Sequence, residues 1–369
     1  MNKLFVGIST LTGMVIGAGF LGIPYVVAKS GFLIGLIHMA VICAIMMIVN
    51  LIVGEIVLST RNVHQLPGYA SKYLGKKTKL FIFLASIIGF YAALTAYLLG
   101  EGESLSYIFT STAQYSLWAG IGFWVVMALI TFRGIRSFKK IEPLAVIAVF
   151  LVVLVLGIVS YNQIDFANLT YTNMNYLFLP FGVVLFAFLG VSSIPEMKRV
   201  LMKNEKLMKK AIIIGSLIPF VVYVLFVSVV LGLYGGGVAE VATISFGKIV
   251  TLLGIFTMFT AFLAISLALQ DTFRFDFNFG FMKAWILTAV IPLLLFLAIK
   301  IYNLAGFVKV LSLGGAVSGG LLSIAILLIH EHLRDKKLER KPEFRIRLPM
   351  LVKILFMLLF VVGIIYEFI

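Results

Sequence analysis

Apolar residues run along this chain in long blocks separated by short polar stretches, with neither the one-sided helical stripe nor the strand alternation of a water-soluble domain. Crossing a hydrocarbon core of about 30 Å takes about 20 helical residues. Runs of suitable length fall at 4–28, 31–58, 80–109, 116–132, 141–160, 174–195, 211–234, 244–270, 282–300, 305–329 and 348–369, the fourth being the shortest. The pattern predicts an all-α integral membrane protein with eleven transmembrane helices. The first run is long, contains Pro24 and lacks a convincing small-residue cleavage site before the next, so it is expected to remain as a span.

Composition agrees on the solvent. With 62% hydrophobic and only 12% charged residues and a mean hydropathy of +1.13, the chain far exceeds the apolar content of a soluble domain. The loops are too short for a sizeable aqueous domain, so a single integral unit is expected. Charge then sets the orientation. If the N-terminus is cytoplasmic, all 30 Lys and Arg residues except Lys29, Lys248, Lys300 and Lys309 fall on the cytoplasmic side, as the positive-inside rule requires. The C-terminus is then outside. The net charge of +15 is explained by topology and anionic lipid headgroups, and no nucleic-acid partner is expected. Cys43 is the only cysteine, and the histidines (His38, His64, His330, His332) have no metal-site spacing. No phosphate-binding glycine loop followed by Lys and Ser or Thr is present. No cofactor and no enzymatic centre are therefore expected.

Two interruptions stand out against this background. Gly19-Phe20-Leu21-Gly22-Ile23-Pro24 in the first run and Gly190-Val191-Ser192-Ser193-Ile194-Pro195 in the sixth share the spacing glycine, four residues, proline. Each should free backbone N–H and C=O groups that lipid cannot satisfy, which is tolerated only where the backbone lines an enclosed cavity. Interrupted helices at matching places of two halves mark the binding site of inverted-repeat transporters. Around Gly17, Ala18 and Gly19, glycine permits close backbone approach, and a restarting half-helix presents N–H groups to an anion such as a carboxylate. Gly35, by contrast, reads as a packing glycine whose substitution should be mild.

The run Ile16-Gly-Ala-Gly-Phe-Leu-Gly-Ile-Pro-Tyr25 followed by Ala28-Lys-Ser-Gly31 resembles the first-helix signature of the amino acid/auxin permeases and the related tryptophan/tyrosine permeases, members of the amino acid–polyamine–organocation superfamily. Segments Tyr91–Leu98, Phe186–Val191, Thr260–Leu269 and Leu313–Gly319 extend the likeness in order. The resemblance implies a LeuT-type fold: inverted repeats at 1–160 (spans one to five) and 170–330 (spans six to ten), with discontinuous first and sixth helices and an accessory span at 348–369. It implies a plasma-membrane secondary transporter that moves amino acids, neutral hydrophobic or aromatic ones, by alternating access coupled to a cation gradient. In that pattern the amides of Gly17, Ala18 and Gly19 hold the substrate carboxylate. Carbonyls of Ile16 and of the stretch from Phe186 through Phe188 to Leu189, beside Gly190, accept from its ammonium, and Tyr91 and Phe186 form pocket walls.

The coupling ion is proton or sodium. No acidic or basic residue is read near the middle of a span. Glu55, Glu142, Glu196 and Asp271 lie near span ends, and Glu55 is the candidate proton carrier. Thr260 matches a sodium-ligand position of the fold, but Ala261 replaces a second hydroxyl, and no lysine occurs in the fifth span. Protons are slightly favoured, as in the tryptophan/tyrosine permeases. The alternative is a nutrient sensor or channel on the same fold. Only short loops are available for a sensor's partners, and paired breaks are not needed by a channel.

Overall fold

The computed structural model describes residues 3–17, 19–61, 64–133, 142–335 and 338–369. Helices account for its regular structure: α1 (Lys3–Val15), α2 (Gly19–Ser30), α3 (Phe32–Leu58), α4 (Leu66–Leu74), α5 (Lys76–Thr110), α6 (Ser116–Phe132), α7 (Glu142–Ser160), α8 (Pro180–Ala187), α9 (Ile194–Val200), α10 (Met208–Tyr234), α11 (Lys248–Asp271), α12 (Phe281–Tyr302), α13 (Phe307–Leu313), α14 (Gly320–Asp335) and α15 (Met350–Tyr366). Seven helical segments are long and apolar enough to cross a membrane. A further pair, α1 and α2, passes the same test together and is bent by 54°. The remaining three apolar runs correspond to shorter apolar helices, at Ser116–Phe132, Val149–Gln163 and Met350–Tyr366.

The hydrocarbon-like exterior follows from the sequence pattern. On α7, Leu151, Val155, Ile158 and Val159 are exposed, and on α15, Leu351, Leu355, Leu358 and Ile365 are exposed. A surface of this kind belongs against lipid rather than water. The interior is organised around α5. Its 35 residues span about 52 Å at 1.5 Å per residue, and it packs against α4, α6, α11, α12, α13 and α14. On the other side α10 packs against α1, α2 and α3, and α2 packs on α8, so the interrupted first and sixth runs meet between α5 and α10.

Two connectors hold this arrangement. The segment after α7 reaches the α2–α3 junction, where Asn173 N–H donates to the Ser30 carbonyl at 2.9 Å. Gly31 there has φ +101°, and a Cβ on it would lie 2.3 Å from the Tyr171 carbonyl oxygen, so only glycine fits. The second connector, between α14 and α15, straps the ends of α3 and α4. Arg340 N–H donates to Ser59 O at 3.2 Å, Ile346 N–H to Glu55 Oε2 at 2.7 Å, and Glu339 pairs with Lys72 at 2.5 Å. Arg340 adds ion pairs to Glu205 at 2.5 Å and to Glu343. Beneath it, Lys198 of α9 is 5% exposed and donates to the carbonyls of Val57 at 2.9 Å and Thr60 at 2.6 Å. The ammonium thereby serves acceptors that the end of α3 leaves without helical partners.

Between α13 and α14, residues Gly314–Gly319 wind as a π-helical segment, an insertion common at functional sites. Its glycines allow contact with α8 at backbone distance: a Cβ on Gly315 would lie 2.0 Å from the Gly182 carbonyl oxygen.

Candidate functional site

The first interruption lies one step before the glycine–proline spacing suggests. Ile16 N–H still bonds to Thr12 O at 2.7 Å, but Gly17 N–H turns to Val15 O at 2.8 Å, and the helix resumes at Gly19. Pro24 sits inside α2, where it removes a helical bond without ending the helix. Ala18 lies outside the described residues. In the second interruption, Phe188 N–H is shared between Val184 O and Leu185 O, and Leu189 N–H bonds to Phe186 O at 3.2 Å. The hydroxyl of Ser193 donates to Gly190 O at 2.8 Å, and α9 restarts with Pro195 in its first turn, a favourable place for a residue without an N–H.

Glycine at position 19 is a matter of space. A Cβ there would stand 2.8 Å from Ala187 Cα and 3.0 Å from Phe186 Cδ1, so the start of α2 and the end of α8 touch backbone to backbone. Carbonyls at the ends of α1 and α8 converge on one side chain. Tyr223 of α10 is fully buried and its hydroxyl lies 2.8 Å from Val15 O and 3.1 Å from Ala187 O. Phe20 stacks on its ring at 6.0 Å, and Phe188 meets it edge-on at 5.1 Å.

Beside this junction is a cavity of about 90 Å³. Met14, Val15, Gly17 and Gly19 line it from the first interruption, Phe186, Leu189, Val191 and Ser192 from the second, and Ser86, Gly89, Phe90, Ala93 and Tyr97 from α5, with further residues from α4, α11 and the π segment. No charged side chain is among the described lining. The cavity therefore offers backbone dipoles from helix ends, a few hydroxyls and an apolar, aromatic wall.

Comparison with known proteins gives the family. The profile described as the tryptophan/tyrosine permease family matches residues 1–368. The chain belongs to the tryptophan/tyrosine permease family. The permease is similar to Glutamine transporter 2 of Aliivibrio fischeri, at 24% identity over 79% of this chain and 80% of that protein. It is also similar to Tyrosine-specific transport system 1 of Haemophilus influenzae, at 27% identity over 61% of this chain and 56% of that protein. It is thus a multi-pass membrane transporter of an amino acid permease family and not an enzyme.

Of the residues singled out from sequence, the permease brings Gly17, Gly19, Phe186 and Leu189 to the cavity. Ile16 is buried beside it, outside the lining. Phe188 packs on Tyr223 instead. Gly190 faces α1, where a Cβ would meet Leu11 Cδ1 at 2.5 Å. Tyr91 is turned away, its hydroxyl donating to the Leu287 carbonyl at 3.1 Å, whereas Tyr97, six residues further along α5 and on another face, lines the cavity. Thr260 spends its hydroxyl on its own helix, donating to Phe256 O and Thr257 O. Its neighbour Ala261 faces the first interruption, its methyl 3.6 Å from where a Cβ on Gly17 would be. Glu55 lies under the strap, with Oε2 3.4 Å from His330 Nε2, away from the cavity lining. The side chain of Glu142 lies outside the described residues.

Sequence reasoning missed three polar side chains. Tyr223 is a hydroxyl in the middle of the apolar run of α10, and Asn50 is a lone amide in the second half of α3, its Nδ2 3.6 Å from where a Cβ on Gly190 would be. Glu101 is a carboxylate inside the third apolar run, at 0% exposure. A search for any strongly polar group inside an apolar run, rather than for groups at the midpoint, finds all three.

Proposed function

We propose that the permease is a secondary transporter for amino acids with uncharged, hydrophobic or aromatic side chains, working by alternating access. One observation carries this reading: helix ends of opposite polarity border the same cavity. The N-terminus of α2 offers N–H groups and the positive end of a helix dipole, which suits a carboxylate. The C-terminal ends of α1 and α8 offer carbonyls, which suit an ammonium. Between them the uncharged wall containing Phe90, Tyr97 and Phe186 would leave a charged substrate side chain without a counter-ion, a costly burial. Family membership, and relatives named for glutamine and tyrosine, support the same class.

The two interrupted runs and their order suit the LeuT-type arrangement of two five-span inverted repeats, 1–160 and 170–330, with α15 as an eleventh, accessory span. The basic connectors support an N-terminus in the cytoplasm and a C-terminus outside the plasma membrane. The cavity continues from the interruptions to Leu66 at the start of α4, on the proposed cytoplasmic side. Its volume of about 90 Å³ is well below the roughly 300 Å³ at which ligand pockets begin. This conformation is therefore a contracted one that widens for substrate. Proton coupling is favoured over sodium, because Thr260 is committed to its own helix and a methyl, Ala261, faces the first interruption.

Purified permease in liposomes should accumulate tyrosine, tryptophan or glutamine when an inward proton gradient is imposed, and should ignore lysine and glutamate. Uptake of every amino acid at the rate of protein-free liposomes would overturn the reading.

A further inference from the structure

The fully buried Glu101 stands apart among the acidic side chains of the described residues. Both of its carboxyl oxygens are sealed from solvent and have no hydrogen-bond partner. One turn along, Ser104 is likewise fully buried, and its hydroxyl is also without a partner. The carboxylates nearby are accounted for. Glu103 pairs with Lys300 at 3.3 Å, Glu240 accepts from Val308 N–H at 3.0 Å, and Glu367 pairs with Lys309 at 3.0 Å.

The charges brought to this end of α5 are few. Lys300 on α12 and Lys309 on α13 are engaged as above, and Lys248 opens α11. The α6 segment and the π segment carry no charged residue. The titratable groups of α4, of the start of α12, of the end of α11 and of α14 (Tyr69, Lys72, Tyr73, Lys283, Asp271, His330, Glu331, His332) lie toward the opposite end of α5. On α5 itself, Tyr97 and Tyr107 are the nearest titratable side chains besides Glu103. No described cation lies within ion-pair distance of Glu101.

Glu101 also has a particular relation to the cavity. The α5 residues that line it, Ser86, Gly89, Phe90, Ala93 and Tyr97, recur at helical spacing. The next positions on that face are Glu101 and Ser104. Glu101 is four residues past Tyr97, about 6 Å along the axis and on the same face of the helix. An ionised carboxylate sealed from water without a partner is strongly disfavoured, and a proton removes the charge.

We propose that Glu101 is the proton-binding site of the transport cycle: it is neutral in this sealed state and gains or loses its proton when water reaches the α5 face beyond Tyr97. This rests on the permease being a proton-coupled transporter, and it places the coupling carboxyl at Glu101 rather than Glu55. The Glu101 side of the cavity is then the one where solvent access and protonation change together.

Two measurements test it. In wild-type permease, infrared spectra at neutral pH should show the carbonyl stretch of a neutral, buried carboxylic acid. The band should be absent in Glu101→Gln and displaced in Glu101→Asp. In liposomes with the membrane potential clamped at zero, a gradient of one pH unit sustains about tenfold accumulation at one proton per substrate. Wild type should approach that ratio with tyrosine or glutamine, whichever it accumulates. Glu101→Gln should fall to no accumulation yet still exchange external labelled for internal unlabelled substrate, because a permanently neutral side chain can be buried but cannot release a proton. Glu55→Gln should retain the accumulation ratio.

A Glu101→Gln variant that accumulates like wild type would overturn the assignment, as would a spectrum with no neutral carboxyl band, or uptake that follows sodium and ignores pH. If Glu101→Gln does not insert, the wild-type and Glu101→Asp spectra decide alone. A wild type that neither accumulates nor exchanges any of the amino acids defeats the transport reading instead. The band then reports separately on whether Glu101 is protonated.

Discussion

Replacing Tyr223 by phenylalanine removes one hydroxyl and leaves the ring that Phe20 and Phe188 pack against. The hydroxyl carries a single proton but faces two carbonyls, Val15 O at 2.8 Å and Ala187 O at 3.1 Å, so at any instant it makes one full hydrogen bond or two shared ones. A buried hydrogen bond contributes about 1 kcal/mol net, and a carbonyl left buried without a donor costs about 1–3 kcal/mol. Tyr223→Phe should therefore lower stability by about 1–3 kcal/mol. Tyr223→Ala also loses the ring and opens a cavity, for about 3–5 kcal/mol. Unfolding free energies in mixed detergent–SDS micelles measure both. A phenylalanine variant that matches wild type to within about 0.5 kcal/mol, the lower limit for a net hydrogen bond, would refute a structural role for the hydroxyl. The reasoning also fails if phenylalanine is as damaging as alanine, since the ring would then contribute nothing.

Gly17→Ala should fold and weaken substrate binding, because its methyl reaches Tyr97 Oη and Ala261 Cβ only at ordinary contact distances of 3.5 and 3.6 Å; Gly19→Ala should destabilise by driving α2 off α8, and thermal denaturation beside a binding assay separates the two. Lys198→Met should destabilise by about 1–3 kcal/mol, since the carbonyls of Val57 and Thr60 lose a charged donor, and Lys198→Arg should recover part of that loss in the same micelle titration. The carboxyl of Glu339 is held below the usual glutamate range by its hydrogen bond from Lys72, helped by Arg61 N–H. Its contribution is present above the ordinary value of about 4.3 and is lost as pH falls through the lower folded value. Hydrogen exchange in residues 338–349 should therefore rise in that acidic window, and Glu339→Gln should flatten the response.

The positions of the helices were legible because lipid forces every spanning segment to be long, apolar and helical. The interruptions were legible because glycine clusters are otherwise wasteful in such a segment. The detail of the site was less so. Glycine–proline spacing suggests two equivalent breaks, yet Pro195 starts a helix while Pro24 lies inside one. Whether Tyr91 or Tyr97 faces the cavity depends on the rotation of α5, which a helix apolar on every side does not encode. Gly35 reads as a mild packing position, but a Cβ there would lie 2.4 Å from Val27 Cγ atoms, a tighter fit than at Gly17. Glu55 reads as a coupling group because it is acidic and near a span end. It accepts from the backbone of Ile346 and lies beside His330, both nearly three hundred residues away in sequence, and no local pattern signals that.

The backbone contact between Gly315 and Gly182 has a mechanical consequence. Where side chains interlock, one helix passes another in discrete steps, because each rotamer must clear its neighbour. At Gly315 the two backbones meet with no side chain between them, so any displacement of the tenth run along α8 would use this point as a plain bearing, with Phe186 beside it supplying the side-chain contact. Any side chain grown at position 315 would act as a pin through that bearing, halting travel at whatever point the pin first strikes.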